Sequence, residues 1–91
     1  MRFYNVHEDG GHGWLEVSKA EIMATPVPVT PYSYQDNDNV YLEEDCDKWK
    51  FLSYLESTGE PFTLNTIYHR GDAPMRSMRH FSKGAIWQQS T

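Results

Sequence analysis

The sequence predicts an α+β domain in which a small antiparallel sheet carries one main helix and one short helix, in the order β-β-α-β-β-α-β. Alternating apolar and polar residues, the pattern of half-buried strands, recur in pairs that are separated by turn-forming residues. Apolar residues at helical spacing occur in one long and one short segment, without the regular strand–helix alternation of a parallel α/β fold. The 91 residues are enough for one hydrophobic core, so we expect a single domain over residues 1–91.

The first two strands are predicted to form a hairpin over residues 2–17. Its turn, E-D-G-G-H-G, is rich in residues that tolerate a positive φ angle. A short helix follows, because Ser18 and Glu21 have the spacing of a capping box. Residues 25–31 include prolines that cannot lie inside a helix, so this segment is predicted to be an extended connector.

Three further strands are predicted, two before the main helix and one after it. Tyr32–Gln35 and Val40–Glu44 flank the acidic turn D-N-D-N, which favours their pairing as a second hairpin. Pro61–His69 is predicted to be the last strand, with Phe62, Leu64 and Ile67 as its apolar residues. The arginine-containing segment that follows it is rich in turn-forming residues.

The main helix is predicted over residues 46–58 and is the clearest local signal in the chain. Asp45 is the expected N-cap, since its carboxylate can accept a hydrogen bond from a free N–H of the first turn. Gly59 suits a left-handed residue after the helix, and Pro61 prevents the helix from continuing. The stripe expected to face the core consists of Cys46, Trp49, Leu52 and Leu55, widened by Phe51 and Tyr54.

The composition excludes several classes of protein. The formal net charge of −5 argues against non-specific binding to nucleic acid. No apolar run approaches the length of about 20 residues that a membrane span needs, and no secretory signal is visible. The single cysteine cannot form an internal disulfide, which favours a reducing, cytoplasmic compartment.

Charge is unevenly distributed along the chain. Residues 1–60 contain four basic and twelve acidic residues, whereas residues 61–91 contain four basic residues and one acidic residue. Oppositely charged faces and neutralisation within the fold both explain this pattern. The candidate partner-binding residues lie in the acidic stretch and are Asp36, Asp38, Glu43, Glu44 and Asp47. The candidate phosphate-binding residues of an alternative function lie in the basic segment and are Arg70, Arg76 and Arg79.

No constellation of residues indicates an enzyme, a metal site or a cofactor site. His7 and His12 flank an acidic turn, but their spacing matches no metal-binding signature, and a polar hairpin tip explains them. Cys46 is surrounded by carboxylates that oppose a thiolate, so we expect a small buried side chain and not a nucleophile. An enzyme using His12 with a carboxylate is the weakest alternative, because no set of nucleophile, base and orienting group is visible. We therefore predict a non-enzymatic protein without metal or cofactor.

Two segments of the chain resemble a family of small, uncharacterised proteins carried by bacteriophages, plasmids and other mobile elements. They are G-H-G-W-L-E-V at Gly11–Val17 and Y-L-E-E-D-C-D at Tyr41–Asp47, and A-P-M-R-S at Ala73–Ser77 fits the same pattern. The resemblance implies the cytoplasm of a bacterial host and transfers no catalytic residue. Small acidic proteins of such elements often inhibit host defence, as anti-CRISPR proteins do, by presenting acidic surfaces to nucleic-acid-binding grooves.

The resulting hypothesis is a non-enzymatic protein that binds and inhibits a host protein with a basic groove, such as a defence nuclease complex. The acidic stretch would provide electrostatic complementarity and would steer the encounter with this partner. The alternative is a small nucleic-acid-associated regulator that uses the basic segment on phosphates, although the overall charge opposes direct binding.

Overall fold

The computed structural model describes residues 1–84 as strands, two α-helices and one short 3-10 helix. The predicted domain continues over residues 85–91, which lie outside the described residues. No helix among residues 1–84 is long and apolar enough to cross a membrane. The elements are β1 (Arg2–Glu8), β2 (Gly13–Ser18), α1 (Lys19–Met23), β3 (Val29–Gln35), β4 (Asn39–Glu43), α2 (Asp47–Thr58), β5 (Phe62–Tyr68), the 3-10 helix Pro74–Ser77 and β6 (Arg79–Lys83).

The strands form one mixed sheet in the order β5-β1-β2-β4-β3-β6. The α+β class, with one main helix and one short helix, is confirmed. The prediction of an antiparallel sheet is only partly right, because β5 pairs in parallel with β1, from Phe62 opposite Arg2 to Tyr68 opposite Glu8. The cause is the connection through α2, which carries the chain from β4 across one face of the sheet. After such a crossover β5 enters the sheet in the same direction as β4 and β1.

The strand β6 is missing from the predicted order. Its residues, R-H-F-S-K, are mostly polar, and the one large apolar side chain among them is the half-buried Phe81. Phe81 lies opposite Ser33 of β3 and packs against the main core. An edge strand that contributes one side chain to the core lacks the apolar alternation by which a strand is recognised in sequence.

The main core lies between α2 and one face of the sheet, which we call the helix face. Phe51, Leu52 and Leu55 of α2 are buried there. The ring of Tyr4 meets Phe51 edge-on, with ring centroids 5.5 Å apart. The strands contribute residues at alternate positions, as expected for a sheet with one covered face, namely Tyr4, Val6, Leu15, Val17, Val40 and Leu42.

The start of α2 differs from the prediction. Cys46 occupies the N-cap position, but its side chain makes no capping bond. The capping carboxylate belongs to Glu43, which accepts hydrogen bonds from the backbone N–H groups of Asp45, Cys46 and Asp47 at 2.9, 2.6 and 3.1 Å. Asp45, the predicted N-cap, is exposed. At the other end Gly59 has the predicted left-handed conformation, with φ 78°.

Two members of the predicted helix stripe lie outside the core. Cys46 is exposed, and Trp49 is 55% exposed with Lys48 Nζ 4.8 Å from its ring centroid. Phe51, predicted to flank the stripe, is fully buried instead. The helix is therefore rotated about its axis relative to the prediction, and the contacts of Asp47 explain why.

Asp47 is fully buried and ties the start of α2 to β3. Its Oδ2 accepts hydrogen bonds from the N–H of Thr30 at 3.0 Å, the hydroxyl of Thr30 at 2.8 Å and the hydroxyl of Ser33 at 2.6 Å. Lys50 Nζ lies 3.0 Å from Oδ1, but not in hydrogen-bonding geometry, so Oδ1 has no hydrogen-bond partner in the described part of the chain. Asp47 is thus not accessible to a partner, which corrects its assignment as a partner-binding residue.

The opposite face of the sheet, which we call the open face, carries a second, smaller cluster of buried side chains. Trp14 of β2 and Tyr41 of β4 pack there with Ala73 and Met75 from the segment between β5 and β6. This segment has to return from one edge of the sheet to the other, and the cluster fixes its path across the open face.

Asp9 joins this returning segment to the first hairpin. Its carboxylate accepts hydrogen bonds from the N–H groups of Gly11 and His12 in the hairpin turn and of Ala73 in the segment. Arg76 donates two more, at 2.6 and 2.9 Å. Chiefly because of Arg76, the pKa of Asp9 lies well below its usual range. The acidic tip of the hairpin therefore has a structural role.

Candidate functional site

The open face contains a cleft of about 410 Å³ beside the junction between β4 and α2. The pairing of β2 with β4, in which Trp14 lies opposite Glu43, brings this junction next to the first hairpin. Neighbouring β3 adds two tyrosines, and the segment before β6 adds an arginine. The lining residues are His12, Gly13, Trp14, Tyr32, Tyr34, Glu43, Glu44, Asp45, Cys46 and Arg76.

The wall of the cleft is aromatic. Trp14 is 3% exposed, and Tyr34 approaches it edge-on with ring centroids 6.4 Å apart. His80 stacks on Tyr34 with a centroid distance of 4.6 Å, which holds the tyrosine in place. Tyr32, by contrast, is 72% exposed. Rigid aromatic side chains of this kind offer a large contact area at a small cost in conformational entropy.

Arg76 closes one side of the cleft as a fixed cation. Its guanidinium carbon lies 5.3 Å from the ring centroid of Trp14, in a cation–π contact. Its two hydrogen bonds to Asp9 hold it in this position, and Asp9 raises the pKa of Arg76. The pair is therefore ionised but neutral as a whole, so Arg76 gives the cleft little net positive charge.

The rim of the cleft is acidic, and its carboxylates differ in availability. Glu43 is occupied by the backbone N–H groups at the start of α2. Glu44 has 37% of its side chain exposed, with Oε1 3.7 Å from His12 Nδ1, and Asp45 is exposed as well. In the described part of the chain neither Glu44 nor Asp45 forms an ion pair with a lysine or arginine. We call Glu44 and Asp45 the acidic rim.

The acidic stretch predicted as one partner-binding surface is divided by β4. Asp36 and Asp38 lie in the turn before this strand, whereas Glu43 and Glu44 lie at its other end, roughly 16 Å away for a strand of this length. Asp36 is committed to its turn, because Oδ1 accepts hydrogen bonds from the N–H groups of Asp38 and Asn39. Asp38 is exposed. These acids therefore do not converge on one site.

Tyr41 links this turn to the open face. Its hydroxyl donates a hydrogen bond to Asp36 Oδ2 at 2.7 Å, and this bond is the main reason why the pKa of Asp36 is lowered. Burial and the neighbouring Asp36 carboxylate raise the pKa of Tyr41. Tyr41 is thus a permanent donor, and Asp36 contributes to the fold more than to a free acidic surface.

The arginines of the alternative phosphate site do not converge either. Arg76 is bound to Asp9. Arg70 follows β5 at one edge of the sheet, and Arg79 begins β6 at the opposite edge. Although both are exposed, the width of the sheet separates their strands by roughly 24 Å. The three side chains therefore share no common centre for a phosphate.

A chain of hydrogen bonds on the open face was not predicted from the sequence. Glu16 Oε1 lies 2.7 Å from His7 Nε2, and His7 Nδ1 lies 2.9 Å from His69 Nε2. The donor and acceptor roles depend on the tautomer: when His7 Nε2 donates to Glu16, His7 Nδ1 accepts from His69 Nε2. The hairpin register reveals that residues 7 and 16 share a face, but His69 joins them only through the parallel pairing of β5. These three residues lie outside the lining of the cleft.

Cys46 lines the cleft and is exposed, which overturns the expectation of a buried side chain. The reason is its backbone: as the N-cap it has φ −125° and ψ −60°, and so lies outside the helical stripe that faces the core. Among residues 1–84 no group of three or more His, Cys, Asp or Glu side chains is arranged to hold a metal ion.

Comparisons with protein-family models, with curated proteins and with solved structures find no match to this chain. The resemblance to proteins of mobile elements therefore stays a prediction.

Proposed function

We propose that the chain is a non-enzymatic binding protein that takes a basic segment of another protein into the cleft. The observation that carries this proposal is the position of Glu44 and Asp45 above an aromatic wall, in a cleft of about 410 Å³. Carboxylates attract the charged end of an arginine or lysine, and aromatic faces contact both the cation and its apolar stem. Arg76 does little to oppose such a ligand, because Asp9 neutralises it.

The rigidity of the cleft supports the same function. Glu43 fixes the backbone that carries the rim, through its bonds to the first N–H groups of α2. Trp14 and Tyr34 are held by their aromatic neighbours and by Arg76. A site that is already ordered loses little conformational entropy on binding, so more of the contact energy contributes to affinity.

The proposed partner follows from the charge of the rim together with the resemblance to mobile-element proteins. A groove that binds nucleic acid is rich in arginine and lysine, and is complementary to an acidic rim. We therefore propose a bacterial defence nuclease, or the complex that carries it, as the partner in the host cytoplasm. By binding to this groove, the protein would compete with nucleic acid and so inhibit the nuclease. Asp38, exposed at the other end of β4, would add long-range attraction without entering the cleft.

A nucleic-acid-associated regulator is the second candidate, and the basic residues of β6 favour it. Arg79 and His80 are exposed on this strand. Lys83 is less available, because its Nζ donates a hydrogen bond to the carbonyl oxygen of Thr25 at 2.8 Å and burial lowers its pKa. Phosphates would therefore meet mainly Arg79, in a protein whose net charge of −5 repels them.

A fluorescent peptide with several arginines tests the first proposal, and the same peptide with glutamine in place of arginine is the ligand control. The double variant Glu44→Gln with Asp45→Asn should weaken binding of the arginine peptide by at least about tenfold, since it removes two charged contacts at the rim. The matched protein control is Glu56→Gln with Glu60→Gln, which removes the same charge from exposed positions outside the cleft.

Two results would decide against this proposal. Equal weakening in both double variants would show that the peptide responds to net charge alone, and the cleft would not be the site. Salt-dependent binding of a nucleic acid duplex, lost in Arg70→Gln with Arg79→Gln and retained in the rim variant, would favour the second candidate.

A further inference from the structure

The outer edge of β5 is an exposed strand edge that contains no charged residue. β5 has the sequence F-T-L-N-T-I-Y, and no strand of residues 1–84 lies beyond it in the sheet. Leu64 and Tyr68 of β5 are 38% and 67% exposed, and Phe3 of the neighbouring β1, opposite Thr63, is 73% exposed. The opposite edge strand, β6, contains Arg79 and Lys83, and charges of this kind protect an edge from pairing. The β5 edge lacks this protection.

The hydrogen bonds between β1 and β5 determine which backbone groups point outward. The N–H of Arg2 donates to the carbonyl of Pro61, and the N–H of His69 donates to the carbonyl of Glu8. The odd-numbered residues of β5 are therefore the ones that bond to β1, because the backbone groups of alternate residues in a strand point to the same side. The N–H and C=O groups that point away from β1 belong to Phe62, Leu64, Thr66 and Tyr68.

We propose that a second copy of this chain pairs with this edge, antiparallel and about a two-fold axis at Asn65, so that two sheets become one. This register sets Leu64 opposite Thr66 of the second copy and Phe62 opposite Tyr68 of the second copy. These are the residues with outward backbone groups, so each pair exchanges both of its N–H···O=C bonds. A two-fold contact has to be self-complementary, and β5 meets that condition in its backbone.

The side chains fit the same register. Asn65 Nδ2 donates one hydrogen to Asn5 Oδ1 at 3.2 Å, which leaves a second amide hydrogen and Asn65 Oδ1 for another partner. At the axis the two Asn65 residues form a pair without backbone bonds between them, the kind in which side chains come closest. Each amide can therefore donate to the other. On the helix face Phe62 would meet Tyr68 of the second copy, an aromatic cross-strand pair.

A second copy fits this edge better than a charged foreign strand does. A charged strand that pairs with itself sets like charges near one another, and β5 avoids this cost because it carries none. A basic partner of the kind proposed for the cleft would gain no ion pair at β5. The edge contributes no residue to the cleft, so this inference does not depend on the proposed function.

Sedimentation equilibrium over a concentration series tests the pairing. We expect a reversible dimer for the native sequence. Asn65→Asp and Asn65→Lys should each weaken dimerisation by at least about tenfold, because two like charges would face each other at the axis. A mixture of the two variants should restore the dimer, because opposite charges then meet. A monomer at every concentration, or a mixture that stays monomeric, would overturn the proposal.

Disulfide trapping tests the register. In a Cys46→Ser background, Asn65→Cys sets two cysteines across the axis at a separation that a disulfide spans. Thr63→Cys is the matched control, on the same face of the same strand, where the register keeps the two cysteines roughly 14 Å apart along the strand. We expect a covalent dimer from Asn65→Cys and none from Thr63→Cys. Equal cross-linking of both would mean random collision and would contradict the register.

Discussion

The carboxylates between Glu43 and Asp47 differ in role because they differ in their contacts. Glu43 satisfies backbone N–H groups that would otherwise lack a partner at the start of α2. Asp47 is buried and binds β3 through Thr30 and Ser33. Glu44 and the neighbouring Asp45 remain at the surface, at the rim of the cleft. Two of the four acids thus serve the fold, and the other two are available to a ligand.

Asp47→Ala should lower the free energy of unfolding by about 3 kcal/mol. The substitution leaves the N–H of Thr30 and the hydroxyls of Thr30 and Ser33 without their acceptor in a buried region. Urea unfolding measures the change. The control is Asp45→Ala, which should cost less than about 0.5 kcal/mol because Asp45 is exposed and caps nothing. A large loss for Asp45→Ala without one for Asp47→Ala would restore Asp45 as the helix cap.

Because of Asp9, the stability of the fold should depend on pH in the acidic range. Because Arg76 lowers the pKa of Asp9 in the folded state, the unfolded state binds the proton more readily, and stability falls as the pH falls. The stabilisation is complete above the ordinary pKa of 3.8 and is lost as the pH drops toward the lower folded pKa. Asp9→Asn should therefore have a shallower loss of melting temperature between about pH 5 and pH 2. A loss as steep as that of the native protein would contradict this role.

At the scale of the element, the packing of α2 on the sheet should depend on the buried residues of this helix. Leu52→Ala should lower the free energy of unfolding by about 2–5 kcal/mol, because it opens a cavity between α2 and the helix face. Trp49→Ala is the control on the same helix, and its effect should be much smaller because Trp49 is 55% exposed. Both are measured by chemical denaturation. An effect at Trp49 as large as that at Leu52 would mean that the predicted stripe, which includes both residues, packs on the sheet.

The elements that could be predicted are those with local signals. Gly59 and Pro61 end α2 by their own backbone preferences, and Ser18 caps α1 by a bond to the N–H of Glu21 at 3.1 Å. The rotation of α2 could not be predicted, because it depends on the contacts of Asp47 with a strand distant in sequence. The parallel pairing of β5 and the existence of β6 also depend on long-range pairing, which local patterns do not specify.

The candidate site likewise contains residues that could be predicted from the sequence and residues that could not. Glu44 could be found from charge, since an acidic run next to a helix start is visible in sequence. Trp14, Tyr32 and Tyr34 could not be assigned to the same site, because only the order β2-β4-β3 in the sheet brings them together. The neutralisation of Arg76 by Asp9 could not be predicted either, because the two residues are far apart in the chain.

At the scale of the whole molecule, part of the uneven charge along the chain is neutralised within the fold. Arg76 from the basic segment forms an ion pair with Asp9 from the acidic half. The molecule keeps a formal net charge of −5 and presents two different surfaces, the cleft with its acidic rim and the uncharged edge of β5. The first suits a basic ligand and the second suits another β-strand.

Cys46, the single cysteine of the chain, gives the most direct test because it lines the cleft and is exposed. Because the side chain is exposed, a small neutral alkylating reagent should reach it in the native protein without unfolding. Arginine peptide at about ten times its dissociation constant should slow this modification by about tenfold, since the reagent then reaches only the unoccupied fraction. The glutamine peptide should leave the rate unchanged. If the arginine peptide binds but Cys46 reacts at its original rate, the ligand lies outside the cleft and the proposed function is contradicted.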